Sequence, residues 1–486
     1  MEIKTLAKNT MILASPKVLN FAVGLLRTKF IAIFLGVTGL GVIDQLTNTV
    51  KQIKRLSLSF LPDGMVKLIA EENANELNLG KIAKIIKTYF LMVIPLAVFM
   101  TALGYIFADE ITIFVFGDLQ FKLYFLIGFT ALPITIFSTS FRAFLKAFKE
   151  IKSFAIAEFY IIIINLILFI PLVYFYKIIG GVIYATLSFF VTFSVIFFVV
   201  RKNVFKKYGI TFASIRQAVF EKKYFKELSA FISVGIIAGS FRVFENIAVR
   251  SIVVNDLGLD QLGVYNPITK WGNLFIGFIL PSIFTYLYPR LSEAKDNADI
   301  NNVVNDVIRL ITFVILPFII IGISTRQFII PLFYSKDFLD ATIYLPFHFS
   351  ALLIVVWSTI FEQIFAPTGR LRIFLFFTIV LSTFSLLLVY YLVPIVGLYG
   401  YLARFTIVPF ITVIVYSVFW RKSIKFKLKK ENIKVIMYSV FCCIILLSLK
   451  DFNVYIQLLS ILLIFPMIFL LNKQEKKFIL KKIRRK

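Results

Sequence analysis

Leu35-Gly36-Val37-Thr38-Gly39-Leu40-Gly41-Val42 is matched by Leu257-Gly258-Leu259-Asp260-Gln261-Leu262-Gly263-Val264, with both Leu-Gly pairs in step at an offset of 222 residues. The register holds without a gap as far as Ala70-Glu71, which falls opposite Ser292-Glu293, and Ile94-Pro95, which falls opposite Leu316-Pro317. Slipped to 220 it continues: Phe129-Thr130-Ala131-Leu132 faces Phe349-Ser350-Ala351-Leu352, Ser138-Thr139 faces Ser358-Thr359, and Lys152 faces Arg372. The chain is a tandem duplication. Two equivalent halves in an apolar chain point to a transporter whose site lies where the halves meet.

An apolar fraction of 59%, an aromatic fraction of 17% and a mean hydropathy of +0.90 exceed what a water-soluble domain carries, so the chain reads as an integral membrane protein. The net charge of +27 raises the question of nucleic acid. The basic residues, however, lie in short segments between apolar runs, with no basic globular domain; positive-inside topology accounts for most of them and no nucleic-acid partner is expected. Cys442 and Cys443 are adjacent in an apolar run and read as lipid-facing or packed. The first long apolar run begins near Asn9, with no small-residue cleavage site after a short core, so no cleavable signal peptide is expected. His348 has no second ligand at metal spacing, and no HExxH, P-loop or glycine-rich nucleotide fingerprint occurs. No catalytic residue, metal or cofactor is expected, and the chain does not read as an enzyme.

A membrane span needs roughly 17 to 25 mostly apolar residues, which gives about fourteen transmembrane helices in an all-α, polytopic fold. Twelve form the duplication: 9–35, 40–61, 84–107, 120–142, 153–175 and 179–200, then 229–254, 262–288, 304–325, 339–362, 373–393 and 396–419. A further pair, 433–449 and 454–472, follows. The expected organisation is an N-terminal six-helix lobe over 1–200, a cytoplasmic basic linker over 201–228, a C-terminal six-helix lobe over 229–420, and an additional helix pair with a basic cytoplasmic tail over 421–486. Alternate connections differ in charge: one side carries 37 Lys/Arg, and the other only Lys177, Arg326, Lys336 and Lys450. That asymmetry predicts a multi-pass protein of the bacterial inner membrane with both termini cytoplasmic. Repeats of six spans share one orientation, so a pseudo-twofold axis along the membrane normal is expected to relate the lobes.

Twelve Lys/Arg remain, mostly inside spans: Lys17, Arg27, Lys29, Lys51, Lys54, Arg55, Lys87, Lys122, Arg242, Arg250, Lys270 and Arg404. Each costs about 2.5–3.5 kcal/mol at a helix centre, so it must face a cavity or a partner. Lys87 and Lys122 lie near span ends and are expected to snorkel. Asp44, Asn48, Lys51, Arg55 and Ser59 step by four, three, four and four along one helix face, with Thr47 and Lys54 beside it. At the 222 offset Asp44, Asn48 and Lys51 fall on Asn266, Lys270 and Asn273, and Arg242, Asn246 and Arg250 repeat a polar face with Glu245 alongside. Internal pairing accounts for part of this charge: Asp44 with Lys51, Glu245 with Arg242, Glu158 with Arg142, Glu362 with Arg404. Bases outnumber acids within the spans, which leaves a cationic surplus suited to an anion. The candidate substrate-binding residues are Arg27, Lys51, Lys54, Arg55, Arg242, Arg250, Lys270 and Arg404, with Asp44, Glu245 and Glu362 for coupling or charge-pairing. Tyr265, Trp271 and Trp357 are read as packing, with sugar contact as the alternative.

The stretch Leu35-Gly36 to Gly41 before a polar helix, Lys67-Leu68-Ile69-Ala70-Glu71, Leu262-Gly263-Val264-Tyr265, and Pro289-Arg290-Leu291-Ser292-Glu293 together resemble the polysaccharide flippases of the multidrug/oligosaccharidyl-lipid/polysaccharide exporter superfamily. Ile43 departs from the tyrosine that the family and the second repeat, at Tyr265, carry. The resemblance covers nearly the whole chain. It implies a two-lobed bundle that moves a polyprenyl-diphosphate-linked oligosaccharide, such as an O-antigen unit for lipopolysaccharide, to the outer leaflet by alternating access. It also implies membrane lipids as surroundings, and a polysaccharide polymerase and chain-length proteins as partners. A lipid II flippase and an ion-coupled multidrug antiporter stand as alternatives; the second would want carboxylates in the cavity.

Overall fold

The computed structural model describes residues 2–472 except 59–60, 76–77, 295 and 366; helix dominates, and no strand occurs among the described residues. Nine of the described helices are long and apolar enough to cross a membrane. Many of their large apolar side chains, such as Phe198 and Ile167, point outward, as a lipid solvent allows.

The helices are α1 (Glu2–Leu58), α2 (Leu61–Asn75), α3 (Leu79–Ile106), α4 (Ala108–Phe116), α5 (Lys122–Phe129), α6 (Ala131–Ala147), α7 (Ile151–Val200), α8 (Phe212–Gln217) and α9 (Lys222–Leu257). They continue with α10 (Leu259–Ser292), α11 (Asn297–Ser324), α12 (Arg326–Phe333), α13 (Ala341–Glu362), α14 (Leu371–Val396), α15 (Leu398–Ile424), α16 (Lys430–Ser448) and α17 (Val454–Leu459), the last running on as a 3₁₀ segment over Ser460–Leu470. Each expected span has a helix. Two helices hold two spans apiece because the corner between the spans is a single residue: Gly36 in α1 (φ 65°, ψ −162°) and Lys177 in α7 (φ 52°, ψ −132°). A positive φ costs glycine nothing, which is why Gly36 can fold the chain back with no loop. The short helices α2, α4, α8 and α12 occupy stretches that the sequence reading left as connections.

The chain divides into two compact units, Met1–Gly263 and Val264–Lys486. In the first, α9 packs on α1, α2, α3 and α4. The linker is fastened there too: Lys87 Nζ donates to the carbonyls of Arg216 (2.8 Å) and Ala218 (2.6 Å), and Lys84 pairs with Glu221 at 3.2 Å. Lys207 Nζ reaches Glu150 Oε1 at 2.5 Å, and that hydrogen bond raises the ammonium pKa above its ordinary value. Lys122, at its span end, pairs with Asp109 at 2.6 Å.

In the second unit the extra helix pair is tied to the middle of α11 and to the start of α12 by buried guanidinium groups. Arg309 donates to the carbonyls of Glu431 (3.3 Å) and Leu470 (2.7 Å). Arg326, 2% exposed, donates to the carbonyls of Ile323, Thr342 and Lys450. Ile323, Lys450 and Leu470 lie at C-terminal helix ends, where carbonyls lack intrahelical partners, so each arginine satisfies at least one such orphan. Cys442 and Cys443 are buried and form no disulfide, so of the two readings packing holds.

Packing repeats the duplication. A Cβ on Gly104 would strike the Phe129 ring at 1.8 Å and one on Gly322 would strike Phe349 at 2.3 Å, the two phenylalanines being partners at the 220 offset. Without a hydrophobic force between helices in lipid, such small-against-large contacts are what holds spans together.

Candidate functional site

Below its bend at Gly36, α1 carries the polar face, and this face meets α9 inside the first unit. Arg250 Nη2 donates to Asp44 Oδ2 at 2.6 Å and its Nε to Gln45 Oε1 at 2.8 Å, while Gln45 Nε2 donates to the Val115 carbonyl. One turn further along, Asn48 Nδ2 (3.1 Å) and Gln52 Nε2 (3.0 Å) both donate to Asn246 Oδ1. Arg250 is 8% exposed, so its guanidinium is dry and its charge is matched locally by Asp44. Arg27, on the first limb of α1, donates to the Tyr184 hydroxyl and to Asn20 Oδ1. Lys51 lies within electrostatic reach of Asp44, Arg27 and Arg250.

Next to this seam a cavity of about 520 Å³ opens, lined by Asn48, Lys51, Gln52, Lys54 and Arg55 of α1, by Pro62, Asp63 and Val66 of α2, and by Thr139, Arg142 and Lys146 of α6. Five lining residues are cationic and one, Asp63, is acidic. The helical step of three and four brings Lys51, Lys54 and Arg55 to the same wall. Arg142 Nε and Nη2 both bond Glu158 Oε1 at 2.8 Å, which fixes the plane of the guanidinium and leaves Nη1 over. A space of this size suits a small anionic head group, and five clustered cations favour one, with Lys54 and Arg142 half-buried and Lys51, Arg55 and Lys146 exposed.

The structure thus brings Lys51, Lys54 and Arg55 together and joins Arg250 to Asp44. Arg242 is an exposed residue of α9, and Glu245 a half-buried one. Lys270 on α10, Glu362 at the end of α13 and Arg404 on α15 belong to the second unit. There Arg404 lies over the rings of Tyr401 (5.5 Å) and Phe405 (4.9 Å). The same rings enclose His348 and Tyr265, with His348 5.0 Å from Phe405 and Tyr265 4.8 Å from Tyr401. Trp357 Nε1 donates to Thr312 at 2.9 Å within the core, and Trp271 packs on Phe333.

Sequence reasoning missed Arg142 and Lys146 as cavity residues: the first was assigned to Glu158 alone, the second to a cytoplasmic connection. It also passed over the amides of Gln45 and Gln52. Their signal was present, since 142 and 146 are four apart at the basic end of a span, but that spacing also suits lysines simply marking the inner face.

Just past the bend of α1 the duplicated motif meets itself. A Cβ on Gly41 would lie 2.2 Å from the carbonyl oxygen of Leu259, and one on Gly263 would lie 2.2 Å from that of Val37. Val37 and Leu259 are partners at the 222 offset, as are Gly41 and Gly263, so the contact is reciprocal. Thr38 Oγ1 donates to Asp260 Oδ1 across it, and these too are offset partners.

The family model described as polysaccharide biosynthesis protein matches residues 67–343. The lipid III flippase of Escherichia coli (strain K12) is 21% identical over 403 residues, 82% of this chain and 93% of that protein. Among solved structures, an inward-facing multidrug resistance MATE family transporter of the MOP superfamily superposes with a TM-score of 0.71 at 15% identity, covering 85% of this chain and 98% of that one. The lipid II flippase MurJ in an inward closed conformation gives 0.70 at 16%, covering 94% and 97%. A MOP superfamily transporter from Pyrococcus furiosus gives 0.62 at 15%, covering 86% and 96%. The family match runs over more than half of the sequence and the shared fold over most of it: the chain belongs to the polysaccharide biosynthesis protein family and has the fold of these transporters.

Proposed function

We propose that this protein flips an isoprenoid-diphosphate-linked oligosaccharide from the cytoplasmic to the outer leaflet of a bacterial inner membrane, for assembly of a surface polysaccharide such as O-antigen. The observation that carries the reading is the cavity in the first unit, with five cations to one acid in a membrane-spanning bundle. A diphosphate cannot enter hydrocarbon unaided. Lys51, Lys54, Arg55, Arg142 and Lys146 offset its charge, Arg through its planar fork and Lys as a point charge. An antiporter for cationic drugs would need the opposite sign of lining. The names of the relatives, flippases for lipid III and lipid II, fit a lipid-linked precursor as substrate.

In this mechanism the lobes over 1–200 and 229–420 rock about an axis along the membrane normal and expose the cations to each side in turn. Arg27, Arg242 and Arg250 add to the cationic surface of the first unit and Lys270 and Arg404 to that of the second, while Asp44, Glu245 and Glu362 balance these charges or couple them to an ion. Both termini face the cytoplasm, where a polymerase and chain-length proteins take no part until the product reaches the other side. The test is transport in proteoliposomes of a fluorescent polyprenyl-diphosphate saccharide, read by quenching from outside. Protein-dependent flipping that a double variant Lys54→Gln/Arg142→Gln abolishes is expected. Equal flipping by that variant, at equal incorporation, overturns the reading.

A further inference from the structure

In the second unit α15 and α16 both lean on α11 and α13 but make almost no contact with each other. The fissure between them is about 640 Å³, within the roughly 300–1,000 Å³ of ligand pockets. Its walls are apolar: Trp357, Phe361, Val413, Ile433 and Ile436 among others. Ser417 is the one uncharged polar side chain that lines it, and Arg421 and Lys427 are the charged ones.

The local chain explains the charges. Arg421 sits in the last turn of α15, and Lys425 then reverses the backbone with φ 56° as the Phe426 amide donates to the Trp420 carbonyl. The extended stretch after it alternates, with Phe426 buried and Lys425 and Lys427 exposed. Nearby Lys429 has Asp306 as its partner at 3.2 Å, but no carboxylate lines the fissure itself.

We propose that this fissure is a binding site for an anionic glycerophospholipid, with its acyl chains against Val413, Ile433 and Ile436 and its phosphate between Arg421 and Lys427. Charge complementarity chooses the head group, since basic pockets between spans on the cytoplasmic side retain anionic lipids. The lining chooses lipid over the transported saccharide, because one hydroxyl and no amide offers sugars nothing to bind.

Native mass spectrometry of the full-length protein, loaded with equal phosphatidylglycerol and phosphatidylcholine and then exchanged through detergent, reads the site directly. One phosphatidylglycerol retained at least tenfold over phosphatidylcholine is expected. In Arg421→Gln/Lys427→Gln that preference falls at least tenfold, while Arg421→Lys keeps most of it. Ser417→Trp, which fills the fissure and leaves both charges, should lose the bound lipid as well. Equal retention of both lipids, retention unchanged in the double variant and in Ser417→Trp, or displacement by equimolar polyprenyl phosphate would each overturn the proposal. Flipping in the proteoliposome assay is a separate readout, so this site can fail while the proposed transport stands.

Discussion

The two copies of the repeat agree in backbone and disagree in charge. At the 222 offset Lys51, Lys54 and Arg55 of the first copy face Asn273, Ile276 and Gly277 of the second, and at the 220 offset Arg142 faces Glu362. The glycine seats persist: Phe129 on Gly104 and Phe349 on Gly322, Gly41 against Leu259 and Gly263 against Val37. Duplication therefore fixed where helices bend and touch, because a Cβ in those places meets an atom. Cavity side chains such as Lys54 and Arg55 carry no such steric constraint and differ between the copies. The consequence is that Lys51, Lys54, Arg55, Arg142 and Lys146 converge on one cavity in the first copy.

The largest effect should come from breaking that inequality. Replacing Arg142 by Gln removes a charge-assisted contact worth about 1.5–3 kcal/mol, so export should fall roughly 10- to 100-fold at equal membrane level, and replacing Lys51 and Arg55 together should cost more. Lys270→Gln, in the second copy and outside this cavity, should cost less. Quantified surface glycan in a strain lacking the native gene decides it, and a Lys270 effect as large as that of Arg142 would remove the asymmetry from the account.

A second test concerns stability. Asp44 and Arg250 form a pair whose side chains are 29% and 10% exposed, whereas Glu158 and Arg142 are 22% and 30% exposed. Removing one partner of a buried pair costs about 3–5 kcal/mol, and partial exposure of Asp44 trims this to roughly 2–3. Asp44→Asn should therefore lower the melting temperature in detergent more than Glu158→Gln does. Arg250→Gln in the Asp44→Asn background should restore part of the loss, and additive losses would mean that the two groups do not act as a pair.

The reciprocal crossing gives a sharper comparison. Gly41→Val and Gly263→Val each push a side chain onto a backbone carbonyl, a cost of about 1–3 kcal/mol for overpacking. Because the contact is reciprocal, the two losses should agree within about 0.5 kcal/mol when read by thermal unfolding. A large difference would show that only one of the two approaches is tight.

Much of this was legible before any coordinates. The spans were, because runs of about 20 apolar residues have few other readings, and so was the duplication, because Leu-Gly motifs mark corners. The single-residue corners were not resolved as such: Gly36 looks like any interhelical glycine, and Lys177 carries no turn signal at all. Convergence of charge was harder still. The steps of Asp44, Lys51 and Arg55 along one face were readable, but Asp44 receives Arg250 from 206 residues away, and Arg142 and Lys146 reach the same cavity from another helix. Helical periodicity describes one helix at a time and is silent on which faces meet.

The smallest effect lies at the corner where the copies differ most quietly. Lys177 (φ 52°, ψ −132°) and Gly397 (φ 60°, ψ −138°) are partners at the 220 offset and hold the same backbone conformation. The corner closes alike in both: a Cβ on Gly180 would lie 1.9 Å from the Leu172 carbonyl oxygen, and one on Gly400 would lie 2.6 Å from that of Leu392. A lysine in this region is strained by about 1–3 kcal/mol. Part of that is offset by the Lys177 ammonium, which sits 5.7 Å from the Phe34 ring centroid and 5.9 Å from that of Tyr174, worth about 0.5–1 kcal/mol at an exposed site. Lys177→Gly relieves the strain, forfeits the rings and adds about 0.4–1 kcal/mol of unfolded-chain entropy, so the net gain should be small, roughly 0–1 kcal/mol. Lys177→Ala keeps the strain and loses the rings, and should be less stable than the parent by about 0.5–1 kcal/mol. Gly397→Lys meets Pro394 where the first copy has Tyr174, so that ring is missing and a strain of about 1–3 kcal/mol should appear. The order of melting temperatures that follows is Lys177→Gly at or above parent, then Lys177→Ala, then Gly397→Lys. If Lys177→Gly fell below Lys177→Ala, the two corners would not share a conformation in solution, and the equivalence of backbone between the copies would end at this point.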